Sequence, residues 1–232
     1  MRRIVWLVDI WWIVALVGGW LVGSLSGSRI VAARVIPGVP LSPTRVVFDD
    51  RGNEALTTGV SSSMLGARAG SRAGGIAALI DIAKGFVPVL VARVVTDDPA
   101  VVGLVAIGVL LGHVFPLGHL REGGYGMATM IGVALAADPL GLVVVIAIAI
   151  VVATLVGSPY VGSELWLVLL PVWFWLGDEP WLALATGLGA VLYVVRGWSE
   201  YRPAWRSWRT DPRPWFSRWS DYWEYPVYQP FE

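Results

Sequence analysis

The residues able to do chemistry in this chain fall in two short stretches. Asp81 and Lys84 lie three apart inside an apolar run, so on a helix they share a face and can pair. Charges inside such a run are functional hypotheses by default. The plainer reading is a structural ion pair facing a helix bundle, followed at once by Gly85 and Pro88. The second stretch is Gly112-His113-Val114-Phe115-Pro116, then Arg121-Glu122-Gly123-Gly124-Tyr125-Gly126-Met127-Ala128-Thr129. Glycines that open an apolar helix can present bare N–H groups to an anion, but glycine also serves close helix packing in membranes. No Gly-Lys-Ser/Thr follows as in a Walker A loop, and no strand precedes as in a dinucleotide fingerprint. Read plainly, His113 is a hydrogen-bonded residue packed at the end of a span. Two histidines and no cysteine make a metal site unexpected and exclude disulfides and thiolate chemistry. Asp9 can snorkel toward the nearer surface.

The chain that must position these residues has 232 residues, 56% of them apolar and 15% charged. Its mean hydropathy is +0.66. That composition excludes a disordered chain, a basic nucleic-acid binder and a water-soluble enzyme, and leaves a membrane protein of several spans. Net charge is zero, with 17 basic and 17 acidic residues, so the total identifies no partner. Apolar runs cover Ile4–Leu25, Gly74–Val95, Val101–Leu117, Gly124–Ala137, Leu140–Val156, Leu165–Leu176 and Trp181–Val195. The fourth and sixth are short for a bilayer core, which takes ~20 helical residues. Met1-Arg2-Arg3 before the first run resembles the start of a signal peptide, but no clear cleavage site follows, and the run reads as a retained helix. With seven spans, one side holds Arg2, Arg3 and Arg93, and the other holds 13 arginines. Basic residues stay in the cytoplasm, so the N-terminus is expected outside and the C-terminus inside. The expected fold is all-α, a polytopic membrane bundle of about seven transmembrane helices.

Residues 1–200 read as one transmembrane domain that includes a long cytoplasmic loop, 26–73. The loop carries Pro37, Pro40, Pro43 and Asp49-Asp50-Arg51-Gly52-Asn53, which is turn chemistry without an apolar period. Residues 201–232 read as a cytoplasmic tail. From 196 onward there are six Trp, four Tyr and six Arg, interleaved in Trp205–Arg209 and Trp215–Trp219. Such a segment either anchors at head-group depth or docks a protein partner, here through 198–232.

These residues resemble the bacterial membrane acyl-phosphate:glycerol-3-phosphate acyltransferases of the PlsY type. The family's Gly-Ser pair at the end of its first span is Gly23-Ser24. Its Asp-x-x-Lys-Gly-x-x-Pro is Asp81, Lys84, Gly85 and Pro88. Its Gly-His-x-Phe-Pro and glycine-rich loop match Gly112, His113, Phe115, Pro116, Gly123, Gly124, Gly126, Ala128 and Thr129 without a gap. The resemblance covers about residues 10–200. It departs where the family holds phosphate: the two loop lysines are Glu122 and Tyr125 here. A carboxylate at ~4 Å from a phosphate costs ~4 kcal/mol at an effective dielectric of ~20. The family's loop Asn falls on Ser62 and its Arg on Leu65, with Arg68 one turn later. Its third motif becomes Arg196-Gly197-Trp198-Ser199-Glu200-Tyr201, with Glu200 in place of Asn.

The resemblance implies an integral-membrane acyltransferase of phospholipid synthesis, without metal or cofactor, in the cell (inner) membrane with its active face cytoplasmic. It would move an acyl group from acyl phosphate to glycerol 3-phosphate or another small polar acceptor, with membrane lipid around it and no nucleic-acid partner. Ser24, His113 and Glu122 are the implied catalytic residues, Ser24 as a positioning or relay hydroxyl and His113 or Glu122 as base. Asn53, Ser62, Arg68, Gly123, Gly124, Gly126, Thr129 and Arg196 are the implied substrate and phosphate contacts. Two other classes stay open: a non-catalytic relative recruited as a subunit or assembly factor of a membrane complex, and a transporter.

Overall fold

The computed structural model describes residues 10–214 and 227–230. Asp9 and Trp215–Trp219, singled out above, lie outside the described residues. Nine helices and three strands follow one another in these residues: α1 (Ile10–Gly23), α2 (Gly27–Val35), β1 (Thr44–Val47), β2 (Glu54–Thr57), α3 (Ser62–Ala69), α4 (Ser71–Val95), α5 (Pro99–Val114), α6 (Met127–Ala137), α7 (Pro139–Val156), α8 (Pro159–Leu176), α9 (Pro180–Arg209) and β3 (Val227–Pro230). Each of the seven apolar runs contains a helix among the described residues. Residues Ile10–Val35, α4, α7 and α9 are long and apolar enough to cross a membrane, whereas α5, α6 and Glu164–Leu176 are shorter apolar helices. Local chemistry sets the starts. α5, α7 and α8 each open on a proline behind a capping side chain. Asp98 accepts from Ala100 N–H, Asp138 from Gly141 N–H, and Ser158 from Val161 N–H.

Lipid offers no hydrophobic gain for pressing helices together, so contact has to come from close approach. Glycine provides it here. On α1, Gly19 and Gly23 face α5, and on α5, Gly108 and Gly112 face α1. A Cβ at Gly23 would stand 2.2 Å from the Val109 carbonyl oxygen, and one at Gly112 would stand 2.1 Å from that of Trp20. Gly85 and Gly132 bring α4 and α6 together in the same way. The buried core between helices centres on Leu110, Met130, Val133, Leu167, Leu170 and Leu182. Outward faces stay apolar and exposed, as at Leu79, Val87 and Val94 on α4 and Leu140, Ile150 and Leu155 on α7. That is the surface a lipid solvent requires.

The segment 26–73 departs from a structureless loop, and its sheet departs from an all-α fold. It holds α2, the β1–β2 hairpin and α3, and β3 joins from the far end of the chain to give a three-stranded antiparallel sheet ordered β2-β1-β3. Four-residue strands carry too little alternation to be legible in sequence, and one partner is distant. The hairpin turn is built by Asp49, whose carboxylate accepts from Arg51 N–H, Asn53 N–H and the Asn53 amide. Gly52 supplies the left-handed residue, at φ +84°. Arg51 then donates to the Ser207 and Thr210 carbonyls at 2.7 and 2.8 Å, which docks the hairpin on the C-terminal end of α9. Helix α9 runs unbroken from the bundle through Glu200 to Arg209.

Gly112→Ala should lower the thermal midpoint of the purified protein by several degrees, because overpacking costs ~1–3 kcal/mol. Gly75→Ala, where a Cβ meets nothing within 4 Å, should not; equal midpoints for the two would refute the α1–α5 packing. Burial alone would raise the Asp49 carboxyl. Hydrogen bonds from the Asn53 and Ser207 side chains and from the Asn53 and Arg51 N–H groups outweigh it and hold the group at about 2. A depressed carboxyl stabilises fully above its unfolded pKa of ~3.9 and loses that contribution as pH falls through about 2. The stability difference between the protein and Asp49→Asn should therefore be constant above about pH 5 and shrink from about pH 4 downward. A difference that grows on acidification would contradict this assignment.

Candidate functional site

The site is assembled around Asp81, 4% exposed, and Lys84, 5% exposed. Asp81 Oδ1 accepts from Lys84 Nζ at 2.7 Å and from Gly27 N–H at 3.1 Å. Lys84 Nζ also donates to the Leu25 carbonyl at 2.5 Å. The ion pair thus ties the middle of α4 to the end of α1 and the start of α2. Helix α2 presents its first N–H to the carboxylate, the favourable polarity for an anion. His113 Nδ1 lies 3.7 Å from the same carboxylate oxygen, beyond a hydrogen bond, and has no hydrogen-bond partner.

The glycine-rich loop packs under the last turn of α5. Gly124 N–H donates to the His113 carbonyl at 3.1 Å. A Cβ at Gly124 would stand 2.1 Å from His113 Nε2, and one at Gly123 would stand 2.0 Å from the Val114 carbonyl oxygen. These two glycines are required by close approach to α5. Gly126 is required by its backbone, at φ +97°, where α6 begins. Ser24 Oγ donates to the Trp20 carbonyl and accepts from Leu117 N–H at 3.1 Å, so it fastens this loop to α1. Arg196 donates to the Arg121 and Gly123 carbonyls from α9. Thr129 is fully buried in α6, with its hydroxyl unpaired.

The departures from the family pattern are partnered. Arg29 Nη2 donates to Glu122 Oε2 at 2.7 Å and to the Glu122 carbonyl at 3.3 Å, which offsets the charge that a phosphate would otherwise meet. Tyr125 donates to Glu200, so the residues standing at a family lysine and the family asparagine bond to each other. The Thr57 hydroxyl lies 2.5 Å from the Tyr125 hydroxyl and accepts from Gly59 N–H. Burial pushes the Tyr125 phenol well above its ordinary value, and the Glu200 carboxylate adds to that rise. Two predicted contacts are engaged elsewhere. Asn53 closes the hairpin turn on Asp49. Arg68 donates to the Pro40 carbonyl and to Thr44 Oγ1 and braces the segment before β1.

A cavity of about 730 Å³ lies between α4 and α6 on one side and α8 and α9 on the other. Ile82, Ile131, Val161, Leu165 and Val168 give it an apolar wall. Its polar end gathers Asp81, His113, the α3 N-terminus at Ser61–Ser63 and the α6 N-terminus at Gly126–Ala128. Of the predicted residues, Asp81, His113, Ser62 and Gly126 line the cavity. Ser24, Asn53, Arg68, Glu122, Gly123, Gly124, Thr129, Lys84 and Arg196 stand outside its lining. Sequence reasoning missed Arg29, Glu164, Tyr193 and Tyr201. Trp205 and Trp208, read from sequence as part of a membrane-anchoring or docking tail, also line the cavity. An acid immediately before the sixth apolar run, Glu164, was the available signal.

Fold and cavity together define an integral-membrane helix bundle with an amphiphilic internal site. The family model for glycerol-3-phosphate acyltransferase matches residues 13–205, and the chain belongs to that family. A glycerol-3-phosphate acyltransferase of Solidesulfovibrio magneticus is 34% identical over 124 residues, 53% of this chain and 62% of that protein, less than two thirds of its length. One from Halorhodospira halophila is 29% identical over 185 residues, 79% of this chain and 88% of that protein. One from Methylococcus capsulatus is 32% identical over 181 residues, 76% and 84% respectively. A crystal structure of PlsY (YgiH), an integral membrane glycerol 3-phosphate acyltransferase in its glycerol 3-phosphate form, shares the fold. Its TM-score is 0.68 at 19% identity, covering 84% of this chain and 92% of that one.

The Arg29–Glu122 pair is partly exposed, 27% and 43% at the side chains, so its strength belongs on the surface scale of up to ~1 kcal/mol. Arg29→Gln should raise the KM for a phosphate-bearing acceptor about fivefold by baring the carboxylate. Adding Glu122→Gln should recover most of that loss. Additive losses in the double variant would show that the two residues do not act as a pair.

Proposed function

We propose that this protein transfers an acyl group from a membrane-borne acyl phosphate to glycerol 3-phosphate or a closely related small hydroxylated acceptor. The observation that carries the reading is the cavity, where an apolar wall between helices meets a polar end formed by His113, Asp81 and two helix N-termini. Membership of the family supports the same chemistry. The acyl chain lies along Ile82, Ile131, Val161, Leu165 and Val168. Phosphate oxygens meet N–H groups at the openings of α3 and α6, beside Ser62. The acceptor hydroxyl oxygen attacks the acyl carbon and forms the ester C–O bond. The bond from that carbon to the phosphate oxygen breaks, and inorganic phosphate leaves with the electron pair. His113 takes the hydroxyl proton and passes it to the departing phosphate. Much of the rate comes from holding both reactants in contact, with donors aimed at the developing oxyanion.

Ser24 acts here as a positioning residue through Leu117, and Glu122 as the partner of Arg29. Seven crossings, with the N-terminus outside and 26–73, the glycine-rich loop and the tail on the cytoplasmic face of the cell membrane, agree with the arginine distribution. The Tyr125–Glu200 pair favours a second reading, a relative that retains the scaffold without the transfer reaction.

The deciding assay uses protein reconstituted in lipid, long-chain acyl phosphate and labelled glycerol 3-phosphate, with an active family member alongside. Lysophosphatidic acid should form. It should fall at least 100-fold in His113→Ala, the scale of a lost general base, and less in Ser24→Ala. Absence of product from the unaltered protein would leave the second reading in place.

A further inference from the structure

Two carboxylates face the cavity from α8 and α9, and phenols hold both. Glu164 accepts from Tyr193 at 3.1 Å and from Tyr201 at 2.5 Å. Glu200 accepts from Tyr125. The three tyrosine rings touch edge to face, Tyr125 to Tyr193 at 6.1 Å and Tyr193 to Tyr201 at 6.2 Å between centroids, which joins the two acids into one network. Each of these bonds is donated by a phenol to a carboxyl oxygen. Neither acid has a salt-bridge partner among the described residues. Arg196 lies one turn before Glu200 and turns its Nη2 to the carbonyls of Arg121 and Gly123. Trp205 and Trp208, with ring centroids 4.8 Å apart, add aromatic wall to the same cavity.

A second observation is independent of the acids. His113 is 9% exposed and lines this cavity, and its Nδ1 has no hydrogen-bond partner. Phenol-braced carboxylates beside aromatic faces are the surroundings that select an ammonium group, through charge and through the ring quadrupole. The helix N-termini of α3 and α6 supply the opposite polarity across the cavity.

We propose that the polar end of this cavity binds an acceptor that carries an ammonium group as well as a phosphate and a hydroxyl, with the ammonium held by Glu164, Glu200 and the tyrosines around them. As a statement about the acceptor, this rests on the acyl-transfer reading above. As a statement about binding, it is tested separately. Substitution of the family's asparagine by Glu200 then has a chemical sense, since a carboxylate recognises a cation that an amide would not distinguish from a hydroxyl.

The test compares glycerol 3-phosphate with serinol phosphate, which carries an amine in place of the middle hydroxyl. Both are titrated calorimetrically into the full-length protein in lipid nanodiscs, and both are offered as acceptors with acyl phosphate. Serinol phosphate should bind at least roughly tenfold more tightly. That ratio should collapse toward one in Glu200→Gln and in Glu164→Gln, a change that a general loss of folding does not produce. A ratio of one or below in the unaltered protein overturns the proposal, as does no measurable binding of serinol phosphate or a ratio that survives both substitutions. Preferential binding without transfer to either acceptor would sink the acyltransferase reading and leave the ammonium site standing. Transfer to glycerol 3-phosphate with no preference for the amine would do the reverse.

Discussion

Asp81 and Lys84 hold each other at 2.7 Å inside a helix bundle, where neither charge could be left alone. Removing two ions from water costs several kcal/mol each, and mutual attraction repays that only when the remaining hydrogen-bonding capacity is also used. Here it is used on the backbone. The carboxylate takes Gly27 N–H and the ammonium takes the Leu25 carbonyl, both at the break between α1 and α2. The pair therefore fixes where α1 ends, how α2 departs from it and how deep α4 sits against both. His113 and the mouth of the cavity are placed by the same geometry. Loss of either charge would leave the other buried without a counterion and unfasten three helices at once.

Around this anchor, helices approach through glycine. Gly19 and Gly23 against Gly108 and Gly112 let α1 and α5 meet backbone to backbone, and Gly85 with Gly132 does the same for α4 and α6. Close approach on one side of the bundle leaves α8 and α9 to enclose the cavity from the other. Apolar side chains from α4, α6 and α8 continue the bilayer environment inward, while helix N-termini, serines and the acid–tyrosine network meet it at one end. An amphiphilic reaction needs that juxtaposition, since one reactant is dissolved in lipid and the other in water.

The altered residues of the family motifs form pairs. Glu122 is bonded to Arg29, and Tyr125 is bonded to Glu200. Each pair joins elements far apart in sequence, so a change at one position is compensated from another helix. With these partners the region is anionic on the α9 side and bridged to a guanidinium on the α2 side.

Helix content, the seven apolar runs and the residues of the Gly112–Thr129 motif were legible in the sequence, because apolar length, proline starts and motif spacing are local properties. Pairing of Asp81 with Lys84 was legible too, since one helical turn separates them. The sheet was not: its strands are four residues long, and β3 reaches β1 from the other end of the chain. Nor were the partners of Glu122 and Tyr125, or the place of Glu164, Trp205 and Trp208 in the cavity lining, since those depend on which helix faces touch across the bundle. Periodicity says that a side chain can face inward. Only the packed backbones, brought together at glycines and locked by a buried ion pair, decide what it meets there.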